Sequence, residues 1–168
     1  AMKASIVLVM ASLGEVIAQR SGILNLGVEG MMLMGALTGF ITTVLTGSIW
    51  LGFLVAVLVG ILTSLLHAFL SISLNANQVI SGIMITLLGT ALTTFFGAGW
   101  TAETIDGAEN VTIPIVGQFL ADLPVVGPIL FQNPPTVYIA LAAVPAVWYF
   151  LYQTELGLEI TAVGEDPA

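Results

Sequence analysis

Val79 to Gly99 (VISGIMITLLGTALTTFFGAG) is an unbroken apolar run of the length that crosses a bilayer. A spanning helix needs about 20 mostly apolar residues, since a rise of about 1.5 Å per residue must cover about 30 Å of hydrocarbon. Ile49 to Leu74 is long enough with some tilt, and Trp50 marks an interface near one end. Val137 to Tyr152 is shorter, holds Pro145, and closes on Trp148, Tyr149 and Tyr152. Ala4 to Ala18 is apolar but interrupted by Gly14 and Glu15. Met31 to Leu45 has only 15 residues, about 22 Å as a helix. It either starts inside the membrane after a break or is extended by residues from Ile23 onward. Backbone groups in lipid must find partners within their own segment, so these spans are helices. The expected fold is all-α: a polytopic membrane helical bundle of about five apolar segments, one of them broken or re-entrant.

Composition agrees. Of 168 residues, 58% are hydrophobic and 7% charged, too few charges to cover a soluble surface. Net charge is −8, with Lys3 and Arg20 the only basic residues, which argues against nucleic-acid binding. Cysteine is absent, so disulfides and cysteine metal sites are excluded. No G-x-S-x-G, H-E-x-x-H or Walker A pattern occurs, and the single histidine, His67, cannot build a metal site alone. No catalytic residue, metal or cofactor is therefore expected, and His67 is expected to hydrogen-bond to a neighbouring helix.

Gly14 to Ala36 (GEVIAQRSGILNLGVEGMMLMGA) places Glu15, Arg20, Asn25 and Glu29 in an apolar setting. Ionisable groups in a membrane are costly and often line a path. The simpler reading is interfacial: Arg20 in a cytoplasmic loop, Asn25 as a helix cap, Glu29 in a first turn. Glu15 and Gln19 stand four apart and can pair on one helix face. Gly30, Gly35, Gly39, Gly82 and Gly89 read as positions of close helix approach. Thr42, Thr43, Thr86, Thr90, Thr93 and Thr94 are expected to bond back to their own helices. Asn75 to Gln78 (NANQ) is a tight turn between long helices. Residues 100–136 form a long connection with four acids, five prolines and no base, and Gln153 to Ala168 is a short, acidic, amphipathic tail.

The Gly14–Ala36 block resembles the signature of bacterial ABC-transporter permeases of the sugar and nucleoside branch, which includes ribose-type and branched-chain amino-acid permeases. Asn25-Leu26-Gly27-x-Glu29-Gly30 is similar to the nucleoside-type subgroup, and the ribose-type D-L-S-x-G sequence is missing. Asn77-Gln78-Val79-Ile80-Ser81-Gly82 and Leu123-Pro124-Val125-Val126-Gly127-Pro128 with Phe131 resemble the same subgroup. So do Leu156-Gly157-Leu158-Glu159 and Ala162-Val163-Gly164-Glu165-Asp166-Pro167. Thr161 departs from the usual arginine, and the chain stops at Ala168 where the family continues, as a truncated reading frame or a fragment does.

The resemblance implies a multi-pass permease domain over residues 1–168 in the bacterial plasma (inner) membrane. It implies an ABC ATPase subunit, a second permease subunit and an external substrate-binding (lipo)protein as partners, besides membrane lipid. Residues 153–168 become a cytoplasmic segment that couples to the ATPase, carried by Glu155, Gly157, Leu158, Gly164, Glu165, Asp166 and Pro167. Arg20–Glu29 and NANQ then face the cytoplasm, and Ser48 and the 100–136 loop lie outside. Asn25, Glu29, Asn77 and Gln78 become candidates for the substrate path. The implied activity is ATP-driven import of a nucleoside or simple sugar. The alternatives are a branched-chain amino-acid or other small-solute permease, or a non-transporting membrane scaffold.

Overall fold

The computed structural model describes residues 2–105 and 135–165. The described chain is helical, with no strand. Its elements are α1 (Met2–Arg20), α2 (Val28–Thr46), α3 (Ile49–Ala68), α4 (Gln78–Gly97), α5 (Pro135–Gln153) and α6 (Glu155–Glu165). A π-helical turn, Phe69–Ser73, extends α3, and a 3-10 turn, Ala98–Trp100, extends α4. Four stretches are long and apolar enough to cross a membrane: Val28–Thr46, Ile49–Ser73, Gln78–Trp100 and Thr136–Gln153. The chain divides into two compact units, one of Ile23–Ile105 and one of Ala1–Gly22 with Asp106–Ala168.

In the Ile23–Ile105 unit, α2 packs on both α3 and α4. Lipid tails are as apolar as leucine, so helices in a membrane gain from close packing rather than from leaving water. Glycines on α2 supply that closeness on two sides. Toward α4, a Cβ on Gly30 would meet the Ile85 carbonyl oxygen and lie 2.6 Å from Thr86 Cα, while one on Gly89 would lie 2.7 Å from Gly30 Cα. Toward α3, a Cβ on Gly39 would stand 3.0 Å from the Gly52 carbonyl oxygen, and one on Gly52 would strike Thr43 Oγ1. Met31, Met34 and Ile85 fill the small core these contacts leave, with Val59 and Leu92 against them.

The hairpins follow from their turn residues. Gly47 ends α2 in the left-handed region, φ 68°, and returns its N–H to the Thr43 carbonyl. Ser48 then caps α3 by accepting from the Leu51 N–H. At the other end, Leu74 N–H reaches the Phe69 carbonyl to close the π turn, and Asn75 takes a positive φ of 49°. Asn77 Oδ1 then accepts from the N–H groups of Val79 and Ile80 and opens α4.

In the other unit, α1 contacts α5 and α6, and α5 contacts α6. Helix α1 runs through Gly14 and Glu15, where the apolar run is interrupted, and the expected pairing of Glu15 with Gln19 on one helix face is present as a Gln19 Nε2 to Glu15 Oε1 hydrogen bond at 3.0 Å. Helix α5 likewise carries Pro145 in its interior. The short Met31–Leu45 segment is settled as well: α2 gains Val28, Glu29 and Gly30, whereas Ile23 to Gly27 stay non-helical. The tail forms a helix of its own, α6. Most of the 100–136 connection, including Leu123–Pro128 and Phe131, and the tail residues Asp166 and Pro167 lie outside the described residues.

Gly30→Ala and Gly89→Ala should each lower the stability of the detergent-solubilised protein by about 1–3 kcal/mol through overpacking. A Cβ added at Gly60 would have nothing within 4 Å, so Gly60→Ala should leave the thermal midpoint unchanged or raise it.

Candidate functional site

Five residues between α1 and α2, Ile23 to Gly27, are irregular, and irregular backbone packed against other elements needs donors and acceptors from its neighbours. Helix α4 supplies them. Gln78 Oε1 accepts from the Leu24 N–H at 2.7 Å, across 54 positions of sequence. Thr86 Oγ1 donates to the Leu26 carbonyl at 3.0 Å. Gly82 removes the obstruction, since a Cβ there would lie 3.0 Å from the nitrogens of Leu26 and Gly27. Within the segment, Asn25 Oδ1 accepts from the Gly27 N–H at 3.0 Å, and Asn25 Nδ2 points to Met31 Sδ at 3.7 Å. The Gly27 carbonyl then takes the Met31 N–H and starts α2.

The two polar blocks of the sequence, one holding Asn25 and the other Asn77 and Gln78, therefore meet. Their side chains are partly committed. Asn77 caps α4, and Gln78 holds the Leu24 backbone. Asn25 does not cap α2; Gly27 occupies that position, and Asn25 forms a turn two residues ahead of it. Glu29 is exposed in the first turn of α2, where the positive end of the helix dipole favours a carboxylate.

Beneath this junction lies a buried polar group. His67 is 2% exposed, and its Nδ1 stands 3.1 Å from Ser81 Oγ on α4. Ser81 Oγ also lies 3.3 Å from Ser71 Oγ in the π turn and donates to the Gln78 carbonyl at 3.2 Å. The interhelical partner expected for His67 is thus Ser81. Among the described residues His67 Nε2 has no hydrogen-bond partner.

Two threonines depart from expectation. Thr42, Thr43, Thr90 and Thr94 do bond back to their own helices. Thr86 instead reaches out to Leu26, because Gly82 and Gly89 bring the irregular segment and α2 within its range. Thr93 Oγ1 is buried without a hydrogen-bond partner among the described residues. Thr86 is the residue of this site that the sequence does not announce; its one signal is the flanking glycine pair.

The tail candidates Glu155, Gly157, Leu158, Gly164 and Glu165 all lie on α6. Gly157 and Gly164 share one face, two turns apart, and both sit against backbone. A Cβ on Gly157 would strike the Phe150 carbonyl oxygen, and one on Gly164 the Arg20 carbonyl oxygen. Glu155, Leu158 and Glu165 are exposed.

A multi-pass, all-helical membrane protein with an irregular polar segment braced between its spans is the class these features define. The family model described as the permease component of branched-chain amino acid transport systems matches residues 1–168, and the chain belongs to that family. It is 59% identical over 166 residues to a putative glucose ABC transporter permease protein, TsgC13, of Haloferax volcanii, covering 99% of this chain and 50% of that protein. It is 35% identical over 172 residues to the guanosine ABC transporter permease protein NupQ of Bacillus subtilis, covering 95% of this chain and 53% of that protein. The nucleoside ABC transporter permease protein NupC of Lactococcus lactis is 32% identical over 171 residues, with 95% of this chain and 53% of that protein covered. The chain thus spans about half the length of these curated relatives. No solved structure matches it.

Gln78→Leu removes the acceptor of the Leu24 N–H. Hydrogen exchange at Leu24 should accelerate, with a stability loss of about 0.6 kcal/mol, the mean for an interhelical hydrogen bond in a membrane. Asn77→Gly should leave exchange at Leu24 unchanged, since Asn77 serves α4 alone.

Proposed function

We propose that this chain forms part of a permease subunit that imports a nucleoside or simple sugar across the plasma membrane. ATP is hydrolysed on a separate subunit. A second permease subunit completes the path, and an external binding protein delivers the solute. The observation that carries this reading is the family match over the whole chain, joined to relatives named for glucose, guanosine and nucleosides.

The geometry supports the assignment of parts. Arg20–Glu29 and NANQ belong on one side of the membrane in the proposed topology, and the Gln78–Leu24 hydrogen bond joins those blocks at one end of the α2–α4 unit. Asn25, Glu29, Asn77 and Gln78 are assigned to the path or its gate. Residues 153–168 are assigned to the cytoplasmic ATPase contact, through Glu155, Gly157, Leu158, Gly164, Glu165, Asp166 and Pro167. Residues 100–136 are assigned to the external face. The family description itself favours a second solute class, branched-chain amino acids.

Uptake of labelled glucose, guanosine and leucine by cells deleted for the full-length gene separates these readings. Loss of glucose or guanosine uptake is expected. Loss of leucine uptake alone would replace the solute class, and unchanged uptake of all three would end the transport reading. With expression held constant, Glu29→Gln should reduce uptake about tenfold, equivalent to about 1.4 kcal/mol.

A further inference from the structure

Ser81 Oγ is crowded by polar atoms from two directions. His67 Nδ1 stands at 3.1 Å, the Gln78 carbonyl oxygen at 3.2 Å and Ser71 Oγ at 3.3 Å. His67 is 2% exposed, Ser81 6% and Ser71 7%, so these groups must satisfy one another. His67 and Ser71 stand four apart, one in α3 and one in the π turn that extends it, and both reach α4 at the same residue.

A hydroxyl has one proton to give and two lone pairs to receive with, whereas a carbonyl can only accept. If Ser81 gave its proton to His67 or to Ser71, its oxygen would face the Gln78 carbonyl oxygen with no proton between them. One arrangement satisfies all three contacts. Ser81 donates to the Gln78 carbonyl, while Ser71 Oγ and His67 Nδ1 each donate to Ser81. A neutral imidazole carries one N–H, so Nε2 keeps a lone pair. That agrees with its surroundings, since Nε2 has no hydrogen-bond partner among the described residues and an N–H there would be buried without an acceptor.

The hydrogen bonds then run in one line from α3 to the irregular segment. His67 donates to Ser81, Ser81 donates to the Gln78 carbonyl, and Gln78 Oε1 receives the Leu24 N–H at 2.7 Å. Ser81 and Gly82 are neighbours in α4. Ser81 turns to α3, and Gly82 sits against Leu26 and Gly27. The first turns of α4 are thus fixed from the α3 side, and they present Gln78 and Gly82 to the segment. All of these residues lie within the Ile23–Ile105 unit.

We propose that His67 is held as the Nδ1–H tautomer and is a positioning residue for Ile23–Gly27, acting through Ser81 and Gln78. Its bearing on transport rests on the proposed assignment of that segment to the solute path. The tautomer and the hold on Leu24 stand apart from that assignment.

The test uses the full-length permease in nanodiscs with 15N-labelled histidine. Ring 15N shifts report which nitrogen carries the proton. The His67 signals are identified by their absence in His67→Asn, or by their shift in Ser81→Ala should that variant not accumulate. They should show a protonated Nδ1 and a bare Nε2, and any other pattern overturns the tautomer. Hydrogen exchange at Leu24 tests the hold. His67→Leu removes the donor to Ser81, and Leu24 should exchange about threefold faster, the factor equivalent to a mean interhelical hydrogen bond in a membrane. His67→Asn can place an amide N–H where Nδ1–H stands and should restore the unsubstituted rate. Ser64→Ala, whose hydroxyl donates to the Ile61 carbonyl of its own helix, is the control. Equal exchange in His67→Leu and Ser64→Ala overturns the positioning role, as does an acceleration that His67→Asn fails to reverse. Should the histidine variants not fold, Ser81→Ala decides by the same comparison. In cells, His67→Leu should raise the KM for uptake about threefold at unchanged maximal rate, and His67→Asn should restore it. An unchanged KM beside faster exchange at Leu24 overturns the link to transport. An unsubstituted permease that takes up no solute overturns the proposed function, and the spectra and exchange rates still judge the tautomer and the hold.

Discussion

Membrane helices have no water to escape from, so their association depends on how closely their backbones approach. Gly30 against Gly89 is the contact on which the α2–α4 unit depends. With any side chain at either position the two helices would separate by the width of a methyl group. The consequences would reach past packing: Thr86 would lose the Leu26 carbonyl and Gln78 the Leu24 N–H. The polar segment keeps its irregular shape only because two glycines let α4 come near enough to satisfy it.

The same economy of space governs α6. Gly157 and Gly164 each accept a carbonyl where a Cβ would stand, and a short helix is thereby fastened to two longer ones. A helix of 11 residues is marginal alone in water. Its stability here comes from being seated, which leaves its outer face free of structural duty.

Much of the fold was legible because it is written locally. Hydropathy and length locate the spans, a four-residue offset pairs Glu15 with Gln19, and an isolated histidine in an apolar helix implies a neighbouring partner. The Gly27 start of α2 was not legible, because it depends on what lies alongside. The same holds for Thr86. Its hydroxyl has a helical carbonyl in reach, as Thr90 has, and chooses the Leu26 carbonyl only because the fold brings one within 3.0 Å from 60 positions away. Asn77 and Gln78 looked alike as polar residues before an apolar run, yet one caps its own helix and the other holds a distant backbone. The hydrogen bond between Arg20 and Tyr152 spans 132 positions and has no local signal at all.

These commitments bear on which polar residue meets a solute under the proposed function. Asn77 Oδ1 is held by two backbone N–H groups, Gln78 Oε1 by the Leu24 N–H, and Asn25 Oδ1 by the Gly27 N–H. An amide oxygen has two lone pairs, so Asn77 would have to release a backbone donor before accepting from a solute hydroxyl, while Gln78 and Asn25 could turn toward a solute only as far as the backbone bond each holds allows, since a buried donor left unsatisfied is costly. Glu29 carries no such duty: it is exposed, and among the described residues no backbone N–H is hydrogen-bonded to its side chain. The three amides are then better suited to hold the shape of the path, and Glu29 to meet what passes along it. On this division, polar residues that look equivalent in the sequence are separated by whether the backbone already occupies them.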